Sequence, residues 1–326
     1  MKNSRMLITL ALGAVLGLIM IGPALAWSAD ASDPALLWRD SEVSLSAGYR
    51  TDDLDWNIAA SPSGGSPNIL SELTWRDLEI FQLGLEARVV VHQVFIIKGM
   101  VKRGFINNGK NQDSDYDGDN RTLEFSRSNN SADDGYTWDG SIGIGPRFTF
   151  GLDYLELTPL VGYAYHEQNL TMTEGRQTIP PTGAFPGLHS AYDTQWYGPW
   201  LGLDLRISAG RPLGTIKNVV FFASFEYHWV DYDAQADWNL REDFAHPKSF
   251  EHEANGHGYF VAAGAKFYFD RRWDISLAYS VAQWNTDAGT DRVFIITGGE
   301  VVTAETRLNK VNWKSNTVTL SWDYHF

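Results

Sequence analysis

The chain has 326 residues, with 26 Lys+Arg against 40 Asp+Glu and a formal net charge of −14; this excludes a nucleic-acid binder, whose phosphate partner demands a basic surface. There is no cysteine, so an exported chain of this composition carries no disulfide framework and depends on backbone pairing and packing. Mean hydropathy is −0.26, which is compatible with a membrane protein if only alternate residues of each span meet lipid.

Lys2 and Arg5 precede an apolar run from Leu7 to Ile21, Gly22-Pro23 breaks it, and Ala24-Leu25-Ala26 is a small-x-small cleavage signature. This predicts a secretory signal peptide over 1–26, removed after Ala26. An uncleaved anchor is the competing account, disfavoured by the well-formed cleavage site and by the lack of a second apolar helix further on. Residues 1–26 contain two basic residues and no acid, leaving 24 basic against 40 acidic side chains, or −16. No later segment is long and apolar enough for a transmembrane helix, so any span must be built of strands.

Successive side chains of a strand point to opposite faces, and ten segments show that period. The first covers 41–50, with Val43, Leu45, Ala47 and Tyr49 on one face. The second covers 72–89 (Phe81, Leu83, Leu85), the third 91–105 (Phe95, Ile97, Val101) and the fourth 136–150 (Ile142, Ile144, Phe148). The fifth is 153–171 (Leu157, Val161, Tyr163), the sixth 192–208 (Leu201, Leu203, Leu205) and the seventh 217–235 (Phe221, Phe225, Trp229). The eighth is 256–270 (Tyr259, Val261), the ninth 272–285 (Ile275, Leu277, Tyr279), and the tenth, 311–326, runs Val318, Leu320, Trp322, Tyr324 to a terminal Phe326. Connections alternate between short (Gly151-Leu152-Asp153, 209–217, Asp270-Arg271-Arg272) and long and polar (51–71, 106–135, 172–191, 236–255, 286–310). The predicted fold is all-β: a ten-stranded antiparallel transmembrane β-barrel over 27–326, with short periplasmic turns and long extracellular loops, in the outer membrane of a Gram-negative envelope.

The opposite faces carry Glu86, Arg88, Lys98, Arg147, Glu156, Asp204, Arg206, Glu226, His228, Lys266, Asp323 and His325. Ten strands enclose a lumen that side chains can fill, and charges buried there require partners. The expected interior is therefore closed and salt-bridged; a small passive channel is the alternative. Trp196, Tyr197, Trp200, Trp229, Trp238 and Trp284 lie near the outer strand ends, where an aromatic girdle accounts for most of them.

Asp113-Ser-Asp115-Tyr-Asp117-Gly118-Asp119, followed by Glu124, fits the D-x-D-x-D-G-x5-E calcium spacing. Alternating carboxylates would converge on a cation, Gly118 would permit the turn and Glu124 would close the shell. A solvated acidic loop tip is the plainer account.

The strand count, the long loops and this Asp-x-Asp cluster beyond the third strand resemble the omptin family of outer-membrane endopeptidases. In that family an Asp pair faces an Asp–His pair across the barrel mouth and activates a water. The resemblance implies Asp113 and Asp115 as the first pair and Asp237 in the second, beyond Trp229-Val230. The family's histidine position is occupied by Asn239, and an asparagine cannot act as a general base. His246 and His228 are the substitutes, of which His228 falls on the lumen face. His246, His252 and His257 match no compact metal-ligand spacing. The sequence therefore supports a surface barrel of omptin-like architecture that is not a competent peptidase, with calcium as the candidate cofactor. An aspartic-type endopeptidase using a variant base is the alternative. Outer-membrane lipid and lipopolysaccharide are the expected partners, and the extracellular ligand or peptide stays unidentified.

Overall fold

The computed structural model describes residues 41–150, 154–210 and 213–326. The expected signal peptide and the Gly151-Leu152-Asp153 turn lie outside these residues. The strands are β1 (Glu42–Ile58), β2 (Ser71–Val91), β3 (Phe95–Gly118), β4 (Thr122–Pro146), β5 (Phe148–Phe150), β6 (Leu155–Ile179), β7 (Gly183–Ala184), β8 (Ser190–Ser208), β9 (Asn218–Asp237), β10 (Phe250–Tyr268), β11 (Trp273–Thr286), β12 (Gly289–Thr297) and β13 (Glu300–His325). Ten of them form an antiparallel ring, closed where β1 meets β13 from Glu42↔His325 to Asn57↔Lys310. Of the other three, β5 extends the β4 stave alongside β6, β7 adds a short ribbon to β6, and β12 folds back on β13 as a flap that also touches β10.

The ten predicted staves are present, but most are longer at the long-loop end than the apolar alternation suggests. Four of them reach 24 to 26 residues, about 80 Å of chain at roughly 3.3 Å per residue, where about 9–11 residues suffice to cross a bilayer. Much of what reads as long polar loop is thus ladder standing clear of the membrane.

The two faces of the wall exchange polarity partway up. On β1 the outward residues run Leu45, Tyr49 and then Asp53 and Asp55, while the inward ones run Ser44, Ser46, Arg50, Asp52 and then Leu54 and Trp56. On β9 the outward series passes from Phe221, Phe225 and Trp229 to Asp231 and Asp233, and the inward one from Glu226 and His228 to Val230 and Tyr232. Beside lipid the wall must be apolar outside. Above the water line the outer face is wet and the inner face makes an ordinary hydrophobic core.

The lumen is therefore filled in two layers. Next to the short turns, Glu156 accepts from Arg88 and from Arg147 Nε (2.6 Å), Glu42 accepts from Arg206 (2.6 Å) and Lys266 (3.1 Å), and Lys266 also reaches Asp323 (2.8 Å). Mid-barrel, Lys98 bridges Asp204 (3.2 Å) and Glu226 (3.0 Å), Lys102 pairs with Glu86 (2.9 Å), and Arg50 joins Asp52 to Asp139. The pairing expected of buried charges is observed.

The upper half differs from expectation. Trp196, Trp200, Trp238 and Trp284 are not girdle residues: they point inward, and Trp196 and Trp284 join Trp56, Trp75, Tyr192, Tyr232 and Trp313 in a buried cluster whose members named here are at most 2% exposed. Trp284 and Trp313 stack at 5.4 Å, and Trp75 and Tyr192 at 5.2 Å. Only Trp229 and Tyr197 of the six take the outward phase, Trp229 being 47% exposed. A cavity of about 270 Å³ lies among the ionic side chains, reaching from Glu42 and Lys266 up to Trp284 and Trp313 of this aromatic plug.

Candidate functional site at the barrel mouth

Above the aromatic plug the strands of β3 and β4 continue as a paired hairpin whose tip is a single 3-10 turn at Asp119–Arg121. Strand geometry places Asp113 and Asp115 on one face, because they are two residues apart. Asp113 is level with Leu73, a member of the buried core, so both acids lean over the mouth and not over the outer wall. Asp115 lies between Ser71 and Ser126, whose hydroxyls donate to it.

The opposite wall is the end of β9. Trp238 stays in the inward phase, packs edge-on against Phe250 at 4.7 Å and donates its indole N–H to Asp113. Its backbone N–H donates to Ser249 Oγ (2.9 Å), and Arg241 N–H closes a turn onto its carbonyl (2.9 Å). Arg241 is held in a fork by Asp243 (2.9 and 2.7 Å) and rests on the Phe244 ring (4.4 Å), with its charge close enough to act on both acids.

The electrostatics follow from this crowding. Burial, and then the charge of Asp115, push the Asp113 carboxyl up to about 8, against the opposing pull of Arg241 and the Trp238 indole. Burial also raises Asp115, opposed by Ser71, Arg241 and Ser126. Two adjacent carboxyls in a drying environment do not both ionise readily, so the pair holds a proton near neutral pH and titrates as a unit.

The remaining sequence-predicted site residues are distributed as follows. Asp237 and His246 do form a pair, with His246 Nδ1 and Asp237 Oδ1 2.6 Å apart. Asp237 takes the outward phase of β9, the opposite phase to Trp238, and neither partner is among the groups that set the charge state of Asp113 or Asp115. Asn239 has both ends of its amide engaged: its oxygen accepts from His189 N–H (2.9 Å) and Ser190 Oγ (3.0 Å), and its nitrogen donates to Gly187 O (2.8 Å). His228 lies in the lumen below the plug, His252 is buried against Tyr192 and Asp291, and His257 stacks on Tyr227.

The five carboxylates of the calcium spacing are not gathered. Asp113 and Asp115 face the mouth, Asp117 is exposed, Asp119 accepts the Asn68 N–H (2.8 Å), and Glu124 is forked by Arg127 (2.7 and 2.5 Å). Pairing continues through Tyr116↔Glu124 and Gly118↔Thr122, so the segment is a ladder and not a free loop. Among the described residues, the one trio of metal-type side chains with ligand atoms within 4.8 Å of one another is Glu42, Asp274 and His325, at the other end of the barrel. There the Lys266 ammonium already supplies a cation, 3.1 Å from Glu42 and 4.0 Å from Asp274.

Sequence reasoning missed Trp238 and Arg241 as mouth residues. Strand phase identifies the first, since Trp238 shares the even, inward phase of Glu226 and His228. Nothing in the sequence marks the second, whose place depends on the turn after β9.

The geometry defines a class: a closed membrane-spanning β-barrel with a protruding, acid-bearing mouth. By sequence the chain belongs to the Pom family, described as Protochlamydia outer membrane protein, which it matches over residues 44–326. It is an outer-membrane β-barrel. The fold is similar to that of the outer membrane protease OmpT from Escherichia coli, with a TM-score of 0.70 at 14% identity over 88% of this chain and 97% of that one. The translocator domain of autotransporter NalP from Neisseria meningitidis superposes more loosely, with a TM-score of 0.38 at 11% identity over 98% and 97% of the two chains. The toluene transporter TodX of Pseudomonas putida gives 0.30 at 10% identity over 91% and 93%. No curated protein matches the sequence.

Proposed function

We propose that this chain is a surface barrel that seals the membrane and presents its acidic mouth to the exterior as a recognition site for cationic groups. The aromatic plug carries the reading: Trp56, Trp75, Tyr192, Trp196, Trp284 and Trp313 pack into one buried cluster inside the barrel, as a sealed lumen requires. Peptide hydrolysis by an omptin-like mechanism would need a base facing Asp113 and Asp115, and the groups set against them are an indole, a guanidinium and hydroxyls. An ammonium or guanidinium arriving at the mouth would ionise the proton-holding pair and be retained by it.

The test is a peptide library offered to purified protein reconstituted with lipopolysaccharide. The expected result is retention of basic peptides, weakened by Asp115→Ala, without turnover. Turnover that Asp115→Ala abolishes would overturn the proposal. One observation favours a second reading, an endopeptidase with a variant base: Asp237 and His246 are paired at 2.6 Å. That reading requires His246→Ala to suppress cleavage, and cleavage unchanged by the substitution removes it.

A further inference from the structure

Below the plug, His166 and His228 are built in a way the rest of the lumen is not. His166 Nδ1 lies 2.8 Å from Asp139 Oδ1, and His228 Nε2 lies 3.1 Å from Glu226 Oε2. An ionised carboxylate only accepts, so each contact fixes the ring proton on the bonded nitrogen and leaves a lone pair on the other. Those other nitrogens, His166 Nε2 and His228 Nδ1, are buried without a protein partner. The residues are 9% and 2% exposed, both line the cavity beneath the plug, and both rings rest on Trp284, at 4.9 and 4.6 Å.

Charge makes the second argument. The ionic layer next to the short turns balances, four carboxylates (Glu42, Glu156, Asp274, Asp323) against Arg88, Arg147, Arg206 and Lys266. The mid-barrel layer does not: Asp52, Glu86, Asp139, Asp204 and Glu226 meet only Arg50, Lys98 and Lys102. Five against three leaves a net of two negative charges inside the barrel, where uncompensated charge is costly. Two imidazolium ions would neutralise them but would turn each orphaned nitrogen into a buried donor with no acceptor. One divalent cation removes both charges and uses both lone pairs.

We infer that His166 and His228 hold a divalent transition-metal ion, with Asp139 and Glu226 behind them as the carboxylates that orient each ring. A carboxylate on the far nitrogen of a ligating imidazole is how such sites are usually supported. Spacing agrees for two opposed ligands: with metal–nitrogen bonds of about 2.0–2.1 Å, two imidazoles sharing one ion have ring centres about 5 Å apart at a tetrahedral angle and about 6.4 Å apart when trans, and these lie 6.3 Å apart. Opposed imidazoles with water completing a tetragonal shell suit copper or nickel, and not tetrahedral zinc or oxygen-seeking calcium. The ion would be structural, acquired as the barrel closes, because the plug shuts the cavity from above.

Copper(II) is the probe. The full chain is folded into detergent with copper present and then passed over a chelating resin. About one copper per chain should remain, with an electron paramagnetic resonance spectrum showing two imidazole nitrogens. A control with His92, His189, His246 and His257 all changed to Gln should retain it, and His166→Gln with His228→Gln should lose it at least tenfold. Wild-type protein that keeps no more copper than the double variant overturns the assignment. If the double variant does not fold, a wild-type spectrum with fewer than two imidazole nitrogens overturns it alone.

Discussion

Replacing Asp113 by Asn tests whether the mouth acids are held short of their full charge. The carboxyl moves from 3.8 in the unfolded chain to about 8 in the fold. The folded state therefore keeps a proton that the unfolded state has released, and stability must fall as pH rises between those values. Its contribution is intact below about pH 4 and is lost by about pH 8. A displacement of about 4 pH units corresponds to at most about 6 kcal/mol at 1.36 kcal/mol per unit. Water at the half-buried mouth and the nearby Arg241 reduce what is measured to about 1–3 kcal/mol, the usual cost of an imperfectly compensated buried polar group. The assay is reversible denaturant unfolding in detergent at pH 5 and pH 8.5. Wild type should lose about 1–3 kcal/mol more than Asp113→Asn over that interval, and the variant should be the more stable protein at pH 8.5. An equal pH response in the two proteins, or a variant weaker at pH 8.5, refutes the reasoning.

Wild-type protein in a planar bilayer should give no stable open steps, whereas Trp284→Ala combined with Trp313→Ala should give flickering conductance and cost about 3–5 kcal/mol per site; large steps from wild type would contradict the closed lumen. Glu156→Gln leaves Arg88 and Arg147 sharing a neutral partner, and should destabilise the barrel by about 3–5 kcal/mol, read as a lower temperature for loss of the heat-modifiable gel band. Asn239→Ala removes the bonds to Gly187, His189 and Ser190, and should expose 183–189 to protease with a cost of about 1–2 kcal/mol; unchanged cleavage would show that this amide does not hold the rim.

The lipid-spanning part of the fold is legible because lipid demands an apolar outer face, and every stave shows it in period two. The extent of the staves is not legible by that rule. The first expected strand stops at residue 50, and the apolar series changes phase just beyond it, from Tyr49 outside to Leu54 and Trp56 inside. A search for one continuous apolar face ends there although the ladder runs on to Ile58. The same change of phase explains the misplaced tryptophans. On β8 the lipid series Leu201, Leu203, Leu205 and Ile207 is odd-numbered, so Trp196 and Trp200 are inward by parity alone. Asp113 and Asp115 stand out in the sequence because acids spaced by two are conspicuous. Their surroundings do not, since Trp238 and Arg241 come from the turn after β9, more than a hundred residues later.

The exchange of faces also constrains what the mouth can do. A barrel polar inside throughout would need only modest widening to conduct, as its lumen would already be wet. Here the protruding half closes over its own core as a soluble domain does, so polar groups above the plug are displaced to the rim or to the outer wall. Asp237 with His246 took the outer wall, and Asp113 with Asp115 took the rim. Chemistry shared between these pairs would require β9 to expose both faces to one site, which strand geometry forbids without a twist or bulge after Ala236. Up to Ala236 the register of β9 with β10 alternates without a bulge, and Asp237 and Trp238 follow it on opposite phases. The mouth is therefore left with one acid pair sharing a proton and a tethered arginine, on the opposite phase of the wall from Asp237 and His246.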